Sequence, residues 1–209
     1  MAMFREHIGW GAVVAVVFVV AVYAYALVTD VALLGLLFLT AVVGSFLPDV
    51  DSDSSMPFYL VYGAMTVSAG GVALLYVLPF TADWRYLVAV PIGVIAIMWF
   101  VIGAIIKKLT HHRGIFHSLP ALAIAGLGAL LLARMYGLTD APALLLGGAM
   151  ALGYLTHLVL DEFYDGITLD GLPFVRSDVL GGSLKMFARS NVVNVATYTL
   201  LITLLYHAI

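Results

Sequence analysis

Apolar residues run along this chain in long blocks, with no strand-like alternation and no single helical stripe. Seven such blocks, at about 9–28, 31–47, 57–80, 86–106, 118–136, 142–161 and 191–208, each approach the roughly 20 residues a helix needs to cross a bilayer. The breaks between them are short and polar. Thr29-Asp30 makes a tight turn, Pro48 follows the second block, Pro57 opens the third, and Asp83-Trp84-Arg85 separates the third from the fourth. Asp140-Ala141-Pro142 offers a cap residue and then a proline, the order favoured at a helix start. Ser118 is placed to cap the fifth block, with Pro120 in its first turn. The pattern predicts an all-α, polytopic membrane protein, about seven transmembrane helices in one bundle, forming a single integral membrane domain over 1–209. Gly70-Gly71, Gly126, Gly128 and Gly147-Gly148 read as points where helices pack closely. The first block is too long for a signal-peptide core and lacks a small-residue cleavage site, so it is expected to be retained.

Composition strengthens this picture. Of 209 residues 64% are hydrophobic and 10% charged, against about 45–50% and about 25% in soluble domains. A soluble fold is excluded on these terms. No basic run or aromatic-basic alternation points to nucleic acid, so no nucleic-acid partner is expected. The absence of cysteine removes disulfides and thiolate ligands. Lys and Arg set the orientation. With the N-terminus cytoplasmic, the inner segments hold Arg5, Lys107, Lys108, Arg113, Arg176, Lys185 and Arg189, and the outer turns only Arg85 and Arg134. That asymmetry satisfies the positive-inside rule. The same topology places the start of span one, the end of span two, the start of span five and the end of span six on the cytoplasmic side. Those ends carry most of the His residues and the paired Asp residues.

Three motifs hold that chemistry. In Gly44-Ser45-Phe46-Leu47-Pro48-Asp49-Val50-Asp51-Ser52-Asp53, Pro48 discourages a helix, so Asp49 and Asp51 are expected on an extended stretch with both carboxylates on one edge. Such a pair suits a hard or borderline divalent cation. Asp53 reads more simply as part of a solvated turn. In Thr110-His111-His112-Arg113-Gly114-Ile115-Phe116-His117-Ser118, three histidines fall within seven residues, and imidazole is the commonest metal ligand. His112 and His117 do not align on an ideal helix and need an irregular loop to converge. Arg113 can meet a phosphate with its planar fork, whereas Lys107, Lys108 and His111 fit a basic interfacial loop equally well. In Gly153-Tyr154-Leu155-Thr156-His157-Leu158-Val159-Leu160-Asp161, His157 and Asp161 lie four apart on one helical face. Ionisable residues inside a span are costly and point to function; the pair either binds metal together or Asp161 orients His157. His7 precedes span one on the same leaflet, with Gly11 one turn later leaving room beside it. His207 falls at the opposite membrane face. The loop 162–190, with Asp165, Asp170 and Asp178, is long enough to form a lid or headgroup-binding segment.

These motifs, in this order, resemble those of the LexA-regulated inner-membrane family of metal-dependent hydrolases. The resemblance runs from His7 to about Pro173 and includes Leu47-Pro48-Asp49-Val50-Asp51, His112-Arg113-Gly114-Ile115-Phe116-His117-Ser118-Leu119, the Gly153 to Asp161 helix, and Gly166. It implies an inner (plasma) membrane, multi-pass protein with metal-dependent hydrolytic activity. The His157-to-Asp161 helix is also similar, more distantly, to the metal helix of the zinc-dependent phospholipase C and P1 nuclease group. Two departures stand out. Ser52 occupies a position that is commonly His in the family, which removes a donor to a second ion unless Asp53 or His111 replaces it. Phe116 stands where Thr is common, which alters a hydrogen bond near the site or makes it more apolar.

The expectation is therefore a membrane-embedded metal-dependent hydrolase. His7, Asp49, Asp51, His112, His117, His157 and Asp161 are the candidate ligands of one or two divalent ions, Zn first, with Mn, Fe or Mg also compatible. Asp51 or Asp161 would accept a proton from water, and Arg113 would neutralise an anionic group of a membrane lipid or lipid-like ester or phosphoester. The rival class is non-enzymatic: a metal transporter or a metal-stabilised scaffold. Transport sites usually lie near the midplane between broken helices, whereas these candidates gather at one surface.

Overall fold

The computed structural model describes residues 4–51, 56–104, 116–166, 186–187 and 190–209. The elements there are helices: α1 (Phe4–Ala24), α2 (Val31–Gly44), a short 3-10 helix (Leu47–Asp51), α3 (Met56–Val77), α4 (Trp84–Ala96), a π-helical turn (Ile97–Ile102), α5 (Leu119–Met135), α6 (Asp140–Gly166) and α7 (Asn191–Ala208). By length and composition, Phe4–Ala24, Trp84–Ile102 and Asp140–Tyr164 can each cross a membrane, and Val31–Gly44, Tyr62–Val77 and Leu119–Met135 are shorter apolar helices. His111, His112, Arg113, Asp53, and Asp170 and Asp178 of the long loop lie outside the described residues, as do the side chains of Asp51 and Asp165.

Local chemistry explains where the helices start and stop. α1 begins before its apolar block because Arg5, Glu6 and His7 are already helical, which hydropathy alone cannot see. It ends at a turn in which Ala26 takes φ of 52° and the Leu27 N–H closes onto the Val22 carbonyl at 3.0 Å. That left-handed cap is more usual for glycine. Asp30 then opens α2, its carboxylate accepting from the Leu33 N–H at 2.7 Å. Ser118 caps α5 as expected, accepting from the Ala121 N–H at 3.3 Å, with Pro120 in the first turn. Asp140, expected as a cap, instead lies in the first turn of α6 and binds Arg134 Nε at 3.0 Å. The stretch after Pro48 corrects another expectation. Asp49 and Asp51 sit on a 3-10 helix rather than an extended strand, and at three residues per turn positions two apart do not share an edge.

The chain forms two compact units, Met1–Pro48 with Arg113–Ile209, and Asp49–His112. In the second, α3 packs on α4 so closely that a Cβ on Gly70 would lie 2.7 Å from the Ile95 side chain. Pro91 interrupts the α4 ladder, and the helix relaxes into the π turn just beyond. The Met98 carbonyl there accepts from the Tyr62 hydroxyl.

The first unit has an interior of small residues. Ala15, Ala41, Ala143 and Ala149 with Val22 and Leu37 form its core, while Val16, Val17, Val20 and Leu39 point outward and are exposed. A soluble protein does not present that much apolar surface. Small residues inside and large ones outside are what lipid-facing helices need, because lipid offers no hydrophobic gain and close packing must hold the helices together. α2 meets α6 at Gly44 and Gly153, where an added Cβ on Gly153 would lie 1.9 Å from the Ala41 carbonyl oxygen and one on Gly44 2.4 Å from that of Met150. α5 meets α6 at Gly126 and Gly147 in the same way, whereas Gly71, Gly128 and Gly148 have nothing near and do not serve the packing role expected of them. At one end of this unit, Arg134 also donates from Nη1 to the Ala208 carbonyl at 2.7 Å, tying α5, α6 and α7 together. Exposed Tyr23, Tyr25, Tyr136 and Tyr206 lie at or just beyond the corresponding ends of α1, α5 and α7, the residue type favoured at a membrane–water boundary.

The Gly153 contact gives a direct stability prediction. Gly153→Ala forces two backbones apart and should cost about 3 kcal/mol or more, the upper range of overpacking. Gly148→Ala, on open surface, should leave stability within about 0.5 kcal/mol. Thermal unfolding of the two purified variants in one detergent checks the contrast.

Candidate metal centre

Four helix ends of the first unit converge away from the Arg134 end. α1 begins there with His7 in its first turns, α2 ends there at Ser45, α5 begins there just after His117, and α6 ends there with His157 and Asp161 one turn apart. His7, His117, His157 and Asp161 are each at most 1% exposed. The structure brings these four sequence candidates together. Asp49 is found on the 3-10 turn that opens the second unit, and Asp51 follows two residues on. His112 and Arg113 lie outside the described residues.

Asp161 is the hub. Its Oδ1 lies 3.3 Å from His7 Nε2, and its Oδ2 lies 3.4 Å from His117 Nε2 and 3.6 Å from His157 Nε2. The two nitrogens His117 Nε2 and His157 Nε2 are 3.4 Å apart. These separations are longer than the roughly 2.9–3.0 Å of a good N–H···O hydrogen bond. Among the described residues, neither oxygen of Asp161 accepts a well-formed hydrogen bond, although both are buried. A tetrahedral ion with bonds of about 2.0–2.1 Å holds its ligands roughly 3.3–3.5 Å from each other. The donor set therefore has the spacing of ligands around an ion. Its chemistry agrees, since imidazole and carboxylate suit zinc and its neighbours. His117, His157 and Asp161 form a group of three that can hold a metal ion.

The surroundings fix the rings. His157 Nδ1 is 2.9 Å from the Ser45 carbonyl. A carbonyl only accepts, so in this hydrogen bond Nδ1 is the donor, and Nε2 is the nitrogen turned toward Asp161 and His117. This is the usual outer support of a metal-bound histidine. The His7 ring stacks on that of His157 with centroids 3.8 Å apart and 18° between planes. His117 meets His157 edge-on at 5.3 Å. Glycine makes the support possible: a Cβ on Gly11 would lie 2.1 Å from Ser45 Oγ, so α1 must lack a side chain where it passes the end of α2. Phe4 packs edge-on against Phe46 at 6.0 Å and fastens the start of α1 beside it. Sequence reading found the four donors but not Ser45, whose role is carried by its backbone. The one available signal was Gly44 beside it and Gly153 opposite, a pair of small residues that permits the approach.

An all-helical, lipid-facing chain that buries three imidazoles around one carboxylate is an integral membrane protein with a candidate metal centre. The chain belongs to the YdjM inner membrane protein family, whose model matches residues 1–208. This agrees with the inner-membrane family that the motifs resemble, and it places the protein in the inner membrane. Comparison with curated proteins and with solved structures gives no significant match.

A bound ion should stabilise the folded chain by mass action, about 2.7 kcal/mol at a hundredfold excess over its dissociation constant. For a chain of 209 residues that is about 5–10 °C in melting temperature. Zinc should raise the melting point of the chelator-treated protein by this amount, and His157→Ala and Asp161→Asn should each abolish the response. Unchanged metal content in both variants would exclude these residues as ligands.

Proposed function

We propose that this protein is a membrane-embedded metal-dependent hydrolase that acts on an ester or phosphoester of an amphiphilic, lipid-like substrate at the cytoplasmic leaflet. The observation that carries the reading is the trio His117, His157 and Asp161, with His157 oriented by its Nδ1 contact to the Ser45 carbonyl. Catalytic zinc sites commonly use three protein ligands and leave a fourth position open. A divalent ion held there would acidify water and polarise the scissile group. Asp161, enclosed by imidazoles, serves to hold the ion, with His7 against its other oxygen. The proton acceptor is then Asp51, with Asp49 and His112 as further donors and Arg113 as the partner of an anionic substrate group. Zinc is the favoured ion because imidazole dominates the set.

Seven spans with a cytoplasmic N-terminus complete the reading. Its support is the Lys and Arg asymmetry together with the exposed tyrosines at the opposite helix ends. Single cysteines introduced at Tyr25 and Tyr136 should react with a membrane-impermeant maleimide from the periplasmic side, and one at Phe116 should not.

One observation favours a second reading, a metal-stabilised scaffold: all four clustered donors are at most 1% exposed, as in a closed structural site. Assays of the purified, zinc-loaded protein on short-chain phospholipid and isoprenoid phosphate esters separate the two. The hydrolase reading predicts turnover that chelation removes and that His157→Ala lowers by at least about 100-fold, the low end of losses for key catalytic groups. Full metal occupancy with no turnover on any ester would favour the scaffold.

A further inference from the structure

We propose that Tyr154 is a positioning residue for the metal centre, acting through the backbone that carries His117; this rests on the metal reading above. Its hydroxyl donates to the carbonyl of Phe116, the residue immediately before His117. Tyr154 is 1% exposed and stands three residues before His157 and seven before Asp161, so the three share one face of α6.

The need for such a residue follows from how each histidine is held. His157 and Asp161 ride on α6 and His7 on α1, where the helical ladder fixes the backbone. His117 has no such frame: it precedes the N-cap of α5, and Ser118 beside it is extended, with φ of −152° and ψ of 157°. Two attachments flank it. On one side the Ser118 hydroxyl accepts from the Ala121 N–H, anchoring it to α5. On the other the Tyr154 hydroxyl holds the Phe116 carbonyl, anchoring it to α6, the helix that supplies the other two members of the trio. A backbone carbonyl outside the helical ladder needs another partner, and this one is provided by the helix whose ligands His117 must match. The tyrosine thus sets the distance between His117 and the His157–Asp161 pair.

A tyrosine that merely filled space would behave differently. Tyr154→Phe keeps the ring and removes the hydroxyl. In the full chain in detergent, with Zn2+ titrated against a chromophoric chelator, Tyr154→Phe should bind 10–100-fold more weakly, the usual cost of losing an outer support of a ligand. In a His117→Ala background the same change should cost nothing further, because the residue it acts through is gone. With Co2+ as probe, the variant's ligand-field bands should shift toward those of His117→Ala. Equal affinity and an unchanged Co2+ spectrum in Tyr154→Phe would overturn the proposal while leaving the metal reading intact, and so would a further loss of the same size in the His117→Ala background. A wild-type chain that binds neither ion would overturn both.

Discussion

The contact on which the rest depends is the approach of α2 to α6 at Gly44 and Gly153. A membrane helix pair gains nothing from excluding lipid, so it associates only where its backbones can come close. Here no side chain intervenes on either helix. The consequence is chemical as well as mechanical, because the same approach carries the Ser45 carbonyl to His157 Nδ1. Packing in the span thereby decides which nitrogen of a histidine faces the other donors. Gly11 repeats the device from α1, bringing that helix across Ser45 and laying His7 on the face of His157.

The second constraint is electrostatic. A carboxylate buried in an apolar setting is costly unless it is compensated, and Asp161 is surrounded by three imidazoles, each of which can be neutral. Their nitrogens are too far for strong hydrogen bonds and correctly spaced for a shared cation. A divalent ion held there would balance the carboxylate and sit between imidazole nitrogens that are 3.4 Å apart. The fold supplies a preformed cup at the ends of helices, for which a divalent ion would be the counter-charge.

Much of this architecture was legible in the sequence because its signals are local. Apolar blocks located the helices to within a few residues, and Ser118 announced the start of α5. Charge asymmetry places His7, His117, His157 and Asp161 at one set of helix ends, and those four meet in the structure. What was hidden is what depends on backbone. The Ala26 cap and the 3-10 turn after Pro48 follow from dihedral choices that residue type only weakly restricts. Ser45 acts through a carbonyl that every residue possesses, and Tyr154 through a hydroxyl whose target is a carbonyl 38 residues away in sequence. Glycine pattern was half informative: Gly126 and Gly147 pack closely, but Gly128 and Gly148 look out on open space.

Everything above turns on whether these imidazoles and this carboxylate hold a divalent ion. X-ray absorption at the metal edge of the purified protein tests it most directly. The prediction is a first shell of nitrogen and oxygen at about 2.0–2.1 Å, with the outer-shell scattering of two or three imidazole rings. A metal-free protein, or a bound ion with no imidazole in its shell, would contradict it.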